Sequence, residues 1–140
     1  MDELQVAQAC ADRMYGEDQA SRDLGITVKI LEPGVAQSEM IVTQSMVNGY
    51  DVCHGGYIFT LADSAFAYAC NAYNEVNVAA SASIDFTYSA KLGDRLTATA
   101  REVHKGRRSG VYDVDVVNQD NRRVAIFRGR SATLGKTILR

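Results

Sequence analysis

Leu4, Ala7, Ala11 and Met14 fall at i, i+3, i+7 and i+10, one stripe of a 3.6-residue period. Residues 2–15 are therefore predicted as an amphipathic helix, capped by Asp2 and stopped at Gly16. Residues 17–24 are polar and read as a second short helical turn. Strand-like segments at 26–32 and 35–43 are joined by Pro33-Gly34, a strong turn signal. The stretch GGYIFTLADSAFAYACNAYN, residues 55–74, is apolar nearly all round, with no proline and no β-branched run. That pattern predicts a long helix buried on most sides. Alanines at 62, 65, 67 and 69 allow other elements to approach it closely.

The period then switches to two. Val78, Ala80, Ala82, Ile84, Phe86 and Tyr88 alternate with Asn77, Ala79, Ser81, Ser83, Asp85 and Thr87, which predicts a long strand with one face inward. Further strands are expected at 94–104, 109–118 and 123–134, separated by Gly93-Asp94, Lys105-Gly106 and Gln119-Asp120-Asn121. The last three links are short, so these strands are expected to be antiparallel neighbours. The fold class is α+β: one domain over residues 1–140, with a long central helix wrapped by an antiparallel sheet of five to six strands and an N-terminal helical segment at 1–24. No internal repeat or linker composition divides the chain.

Composition narrows the class. The 140 residues are 46% hydrophobic and 23% charged, which allows a sizeable core and argues against disorder. No apolar run approaches the ~20 residues of a membrane span, and the acidic start MDELQVAQACADRM does not read as a signal peptide. Cys10, Cys53 and Cys70 are odd in number and form no CxxC pair, so reduced thiols in a cytoplasmic protein fit better than a zinc site or a disulfide framework. His54 and His104 are the only histidines, too few for a multi-histidine metal site. The net charge of −2 hides a split: residues 1–75 carry 3 basic and 11 acidic side chains, a balance of −8, while residues 76–140 carry 12 basic and 6 acidic, a balance of +6. Taken alone, the split reads as two halves that neutralise each other, with a basic surface for an anionic partner as the sharper alternative.

Two features of the central helix carry chemistry. Asp63 is the only charged residue between His54 and Glu75. An unpaired carboxylate in apolar surroundings is costly, and such perturbed acids concentrate at functional sites. At the helix start, His54-Gly55-Gly56 leaves first-turn N–H groups uncovered at the positive end of the helix dipole, ready for an oxyanion or a polarised carbonyl. Gly55 and Asp63 are eight residues apart, ~12 Å along one helix, too far for both to act on one carbonyl. If both serve one substrate, they come most simply from two chains related by a two-fold axis, with two composite sites per dimer.

The stretch from Asn48 to Ser64, NGYDVCHGGYIFTLADS, resembles the signature of hotdog-fold acyl-CoA thioesterases. With the extension AFAYACN and the later segments SIDFTYSAKLGDRLTATA and GRRSGVYDVDV, it is similar to the phenylacetic acid degradation thioesterase group, over most of the chain from about residue 40. The resemblance implies hydrolysis of phenylacetyl-CoA or a ring-hydroxylated relative, in dimers that pair into tetramers. It implies Asp63 as nucleophile or general base, Gly55 as the N–H that polarises the thioester carbonyl, and Asn48 as a holder of water or carbonyl. His54 is a motif residue beside the site, and Ser81 lies where relatives carry a hydroxyl facing it. Lys105, Gly106, Arg107 and Arg108, at a turn between strands, are implied to approach the coenzyme A phosphates, with Tyr88 and Lys91 as further contacts. Tyr50, Tyr57, Phe59, Phe66 and Tyr68 could line an acyl pocket, although most read as core packing. No metal or cofactor is implied, since coenzyme A is part of the substrate. Neither nucleic acid nor membrane is expected as a partner. The alternatives are a hotdog acyl-thioester dehydratase or hydratase using His54, and a non-catalytic acyl-CoA-binding module.

Overall fold

The computed structural model describes residues 1–140. Helix α1, Glu3–Glu17, begins with the expected cap: Asp2 accepts from the Gln5 N–H while the Gln5 side chain accepts from the Asp2 N–H. It buries Ala7, Cys10 and Ala11. The helix runs one residue past Gly16, because Asp18 closes α1 and caps α2, Gln19–Asp23. The Asp18 carboxylate accepts from Ser21 and from the Tyr68 hydroxyl, and Ser21 meets Ser64 at 3.2 Å. This hydrogen-bond chain ties the N-terminal segment to the central helix.

Strands β1, Thr27–Glu32, and β2, Val35–Ile41, form the expected hairpin; Gly34 at its turn has φ +81°, a conformation that favours glycine. The central helix α3 spans Gly55–Cys70 and buries Ile58, Leu61, Ala62, Ala65, Phe66, Tyr68 and Ala69. It ends four residues before the predicted stop. Asn71 side-chain bonds grip the backbone N–H and C=O of Asn77, turning the chain into the next strand.

Strands β3, Asn77–Phe86, β4, Arg95–Lys105, β5, Ser109–Val117, and β6, Arg123–Thr133, complete one antiparallel six-stranded sheet in the order β1-β2-β4-β5-β6-β3. The order corrects one expectation. β3 and β4 are joined by a short link but are not neighbours: β3 pairs with β6 at the far edge of the sheet. The link 87–94 is held elsewhere, with Ala90 accepting from the Cys53 N–H at 2.8 Å and Leu92 donating to Asp51 at 2.9 Å. A second expectation is met in part. Ile84 and Phe86 of β3 turn towards α3, and Ile84 packs against the core, but every residue of β3 except Asn77 and Ile84 is exposed, so α3 covers little of the face that this last strand of the sheet turns inward. The sheet curls around α3, and Phe66 sits at the centre against Tyr112 and Phe127, with ring centroids 5.6 and 5.8 Å away. No helix is long and apolar enough to cross a membrane.

Candidate active site

The N-terminus of α3 is open. Its N-cap, His54, makes no capping bond with its side chain, and the N–H groups of Gly55 and Gly56 donate to no acceptor in the chain. The entry loop is nonetheless firmly held. Val47 and Cys53 bridge, Val52 bridges Lys91, and the His54 N–H donates to Met46 at 2.9 Å. Asn48 closes this loop. Its Oδ1 accepts from the Tyr50 and Val52 N–H groups at 2.9 and 3.1 Å, which leaves the side-chain NH₂ free to donate outward. A glycine at position 55 also has a steric reason: a Cβ there would lie 2.7 Å from the ring of Phe86.

Asp63 lies on the open stripe of α3. Gly56, Thr60, Asp63 and Ala67 follow each other at helical spacing and are all at least partly exposed, while the residues between them are mostly buried. The Asp63 carboxylate makes no hydrogen bond and no ion pair within the chain. Burial among apolar neighbours pushes its pKa up from the ordinary carboxylate value. It is thus a proton acceptor with no partner within the chain to neutralise it.

The remaining candidates separate into two groups at opposite ends of β3. Asn48, His54, Gly55, Tyr88 and Lys91 gather at the Phe86 end. Tyr88 is steadied there by the Arg122 guanidinium, 4.0 Å above its ring, and the Lys91 N–H donates to Asp94 while its ammonium pairs with nothing. Lys105, Gly106, Arg107 and Arg108 form the β4–β5 turn at the Asn77 end, where Arg108 accepts from the Thr133 N–H and Thr133 pairs with Asn77. The ten-residue β3 separates these ends by ~30 Å. Lys105 is already engaged, with Glu75 at 3.8 Å and the Tyr73 ring at 4.7 Å, whereas Arg107 and Arg108 form no ion pair. Ser81 pairs with Arg130 in register and so shares the outer face of the sheet with it, rather than the face towards α3.

The aromatic set divides as well. Phe66 and Tyr68 are core residues, Tyr57 and Phe59 are partly buried, and Tyr50 stands 89% exposed in the entry loop. The aromatic nearest Gly55 is Phe86, which the alternating pattern marked only as a strand residue; its role depends on the sheet order. The charge split is also resolved. Only Arg95–Glu39 and Lys105–Glu75 join the two halves, while Arg123–Asp115 and Arg128–Asp113 lie within the basic half. Mutual neutralisation therefore absorbs little of the basic surplus.

A long buried helix in the grip of one curled antiparallel sheet, open at its N-terminus and carrying an unpaired acid, is the hotdog fold. The chain belongs to the thioesterase superfamily, whose family model matches residues 50–125, and it is a thioester hydrolase. It is 47% identical over 128 residues to the acyl-coenzyme A thioesterase PaaI of Escherichia coli K12, covering 91% of each chain. The solved structure of the E. coli PaaI protein from the phenylacetic acid degradation operon superposes with a TM-score of 0.95 at 44% identity, over 97% of this chain and 99% of that one. A Streptococcus mutans protein solved with acetyl-CoA bound matches with a TM-score of 0.76 at 34% identity, over 80% of this chain and 90% of that one.

Proposed function

We propose that this chain hydrolyses phenylacetyl-CoA, or a ring-hydroxylated relative, to the free acid and coenzyme A, in a cytoplasmic homodimer with two shared sites that pairs further into a tetramer. The observation that carries this reading is the pair of unused N–H groups at Gly55 and Gly56 together with the unpartnered Asp63 on the same helix. The thioester oxygen lies against the Gly55 N–H, where developing negative charge meets the positive end of α3. Asp63 of the second chain approaches the carbonyl carbon from the other side. As a base it takes a proton from water while the water oxygen bonds to carbon; the C–S bond then breaks and the thiolate recovers a proton. As a nucleophile its carboxylate oxygen bonds to the carbonyl carbon, the C–S bond breaks and the thiolate leaves and takes up a proton, and water then cleaves the acyl-aspartate anhydride to the free acid and the Asp63 carboxylate. A single turnover in ¹⁸O-water tests the nucleophilic route: label in Asp63 requires an acyl-aspartate opened by water at the Asp63 carboxyl carbon, whereas a base leaves the label in the free acid.

The division of candidates along β3 supports the shared site. Two β3 edges laid antiparallel about a two-fold axis bring the 105–108 turn of one chain towards the Gly55, Tyr88 and Lys91 end of the other. The unpaired Arg107, Arg108 and Lys91 then face the anionic coenzyme A tail, and the side-chain NH₂ of Asn48 faces the reacting centre. A panel of acyl-CoA thioesters followed by free-thiol release tests the reading. Wild type should turn over arylacetyl-CoA, and Asp63→Ala should not; retained activity in that variant overturns the assignment. Sedimentation of a fully active monomer would contradict the shared site.

A further inference from the structure

We propose that Phe86 is the specificity-determining wall of the acyl subsite, selecting an aromatic or bulky apolar acyl group next to the thioester carbonyl. This deepens the thioesterase reading and rests on it. Phe86 ends β3 and faces α3, in register with the small buried Ala125, which leaves the ring unconfined on that side. The ring leans against Gly55 closely enough that three of its atoms would fall within 3.2 Å of a Cβ there. It is 52% exposed, a large apolar surface immediately beside the free N–H group.

The ring also walls an open cleft of about 450 Å³ with Val52, Cys53, Ile58 and Ala90, a size suited to a small apolar group. Cys53 adds an apolar wall rather than a nucleophile, since burial pushes its thiol up to about 11. Gly55 and the polar Thr87, Tyr88 and Ser89 complete its lining. The apolar wall of Phe86, Val52, Cys53, Ile58 and Ala90, beside the free Gly55 N–H, suits the carbon side of the thioester, and an aryl ring there meets Phe86 edge-on or offset.

The test compares wild type, Phe86→Ala and Phe86→Leu on phenylacetyl-CoA, hexanoyl-CoA and acetyl-CoA by free-thiol release, with sedimentation in parallel. The expected result for Phe86→Ala is a fall in kcat/KM of about tenfold or more on phenylacetyl-CoA with acetyl-CoA within about threefold, at unchanged dimer mass. Phe86→Leu should recover hexanoyl-CoA hydrolysis more than phenylacetyl-CoA hydrolysis. Equal losses on both substrates overturn the assignment, and so does a weakened dimer, which would mean that the second chain covers the ring. A wild type that cleaves no thioester overturns the underlying reading instead, so the two failures are distinguishable.

Discussion

Replacing Gly55 by proline removes one N–H group and adds a side chain that an alanine control can match in part at Cβ. Position 55 is the first residue of α3, where proline is well tolerated because its missing N–H has no helical partner. The residue before a proline must be extended, and His54 already has φ −62° and ψ 138°. The added Cβ displaces Phe86, whose ring is 52% exposed and has room to swing away. Gly55→Ala displaces the ring equally but keeps the N–H, so the ratio of the two variants isolates the donor. Loss of one oxyanion donor in a preorganised site costs roughly 10²- to 10³-fold in kcat, with KM little changed. The Gly56 N–H remains, which favours the lower end of that range. Thiol release gives the rates, and thermal unfolding confirms that both variants fold alike. The proposed shared site adds a second quantity. Neither Gly55→Pro nor Asp63→Ala homodimers hold an intact site. Their equal mixture, after subunit exchange, should recover about one quarter of wild-type activity, because half the dimers are mixed and each mixed dimer has one of its two sites whole. Proline and alanine variants within about threefold of each other would refute the role of the N–H, and a mixture with no recovery would refute the shared site.

Three further outcomes concern stability and pH. Asp63→Asn should abolish hydrolysis yet raise the melting temperature at neutral pH. Burial raises the folded-state pKa of Asp63, so ionising it costs stability as pH rises above the ordinary value of 3.8; the gap between variant and wild type should close in acid and widen towards neutrality, and a constant gap would contradict this. Gly129→Ala should cost roughly 1–3 kcal/mol in denaturant melts, because its Cβ would lie 2.8 to 2.9 Å from three atoms of the confined Phe66 ring; an unchanged midpoint would show that the core can yield. Asp18→Ala should cost about 1–3 kcal/mol and expose α1 to proteolysis, since the buried Tyr68 hydroxyl and Ser21 lose their common acceptor; unaltered cleavage rates would mean that α1 is held by packing alone.

The elements were largely legible in the sequence, because periods of 3.6 and two are written residue by residue. What could not be read was the order of strands. The 87–94 link is short enough for a hairpin, yet its backbone bonds go to the 51–53 loop, a contact between segments some forty residues apart. The place of β3 at the edge follows from that, and with it the exposure of Phe86 beside Gly55. In the same way, the helical spacing of Asp63 and Gly55 was enough to suggest two chains. The engagement of Lys105 by Glu75 and Tyr73, and of Tyr88 by Arg122, depends on side chains far apart in sequence. Ser81 was placed by analogy, and a register shift between Ala79 and Ser81 separates its phase from that of the strand before it.

The unpaired edge of β3 has a consequence for how the protein is used. On the proposed two-chain site, the folded monomer is complete as a fold and incomplete as a catalyst. Specific activity then depends on protein concentration, falling on dilution below the dimer dissociation constant and recovering with a lag set by reassociation. Saturating substrate, which bridges the two chains, would hold the dimer together and shorten that lag. Synthesis level would thereby set both the amount of enzyme and the fraction of it that is competent.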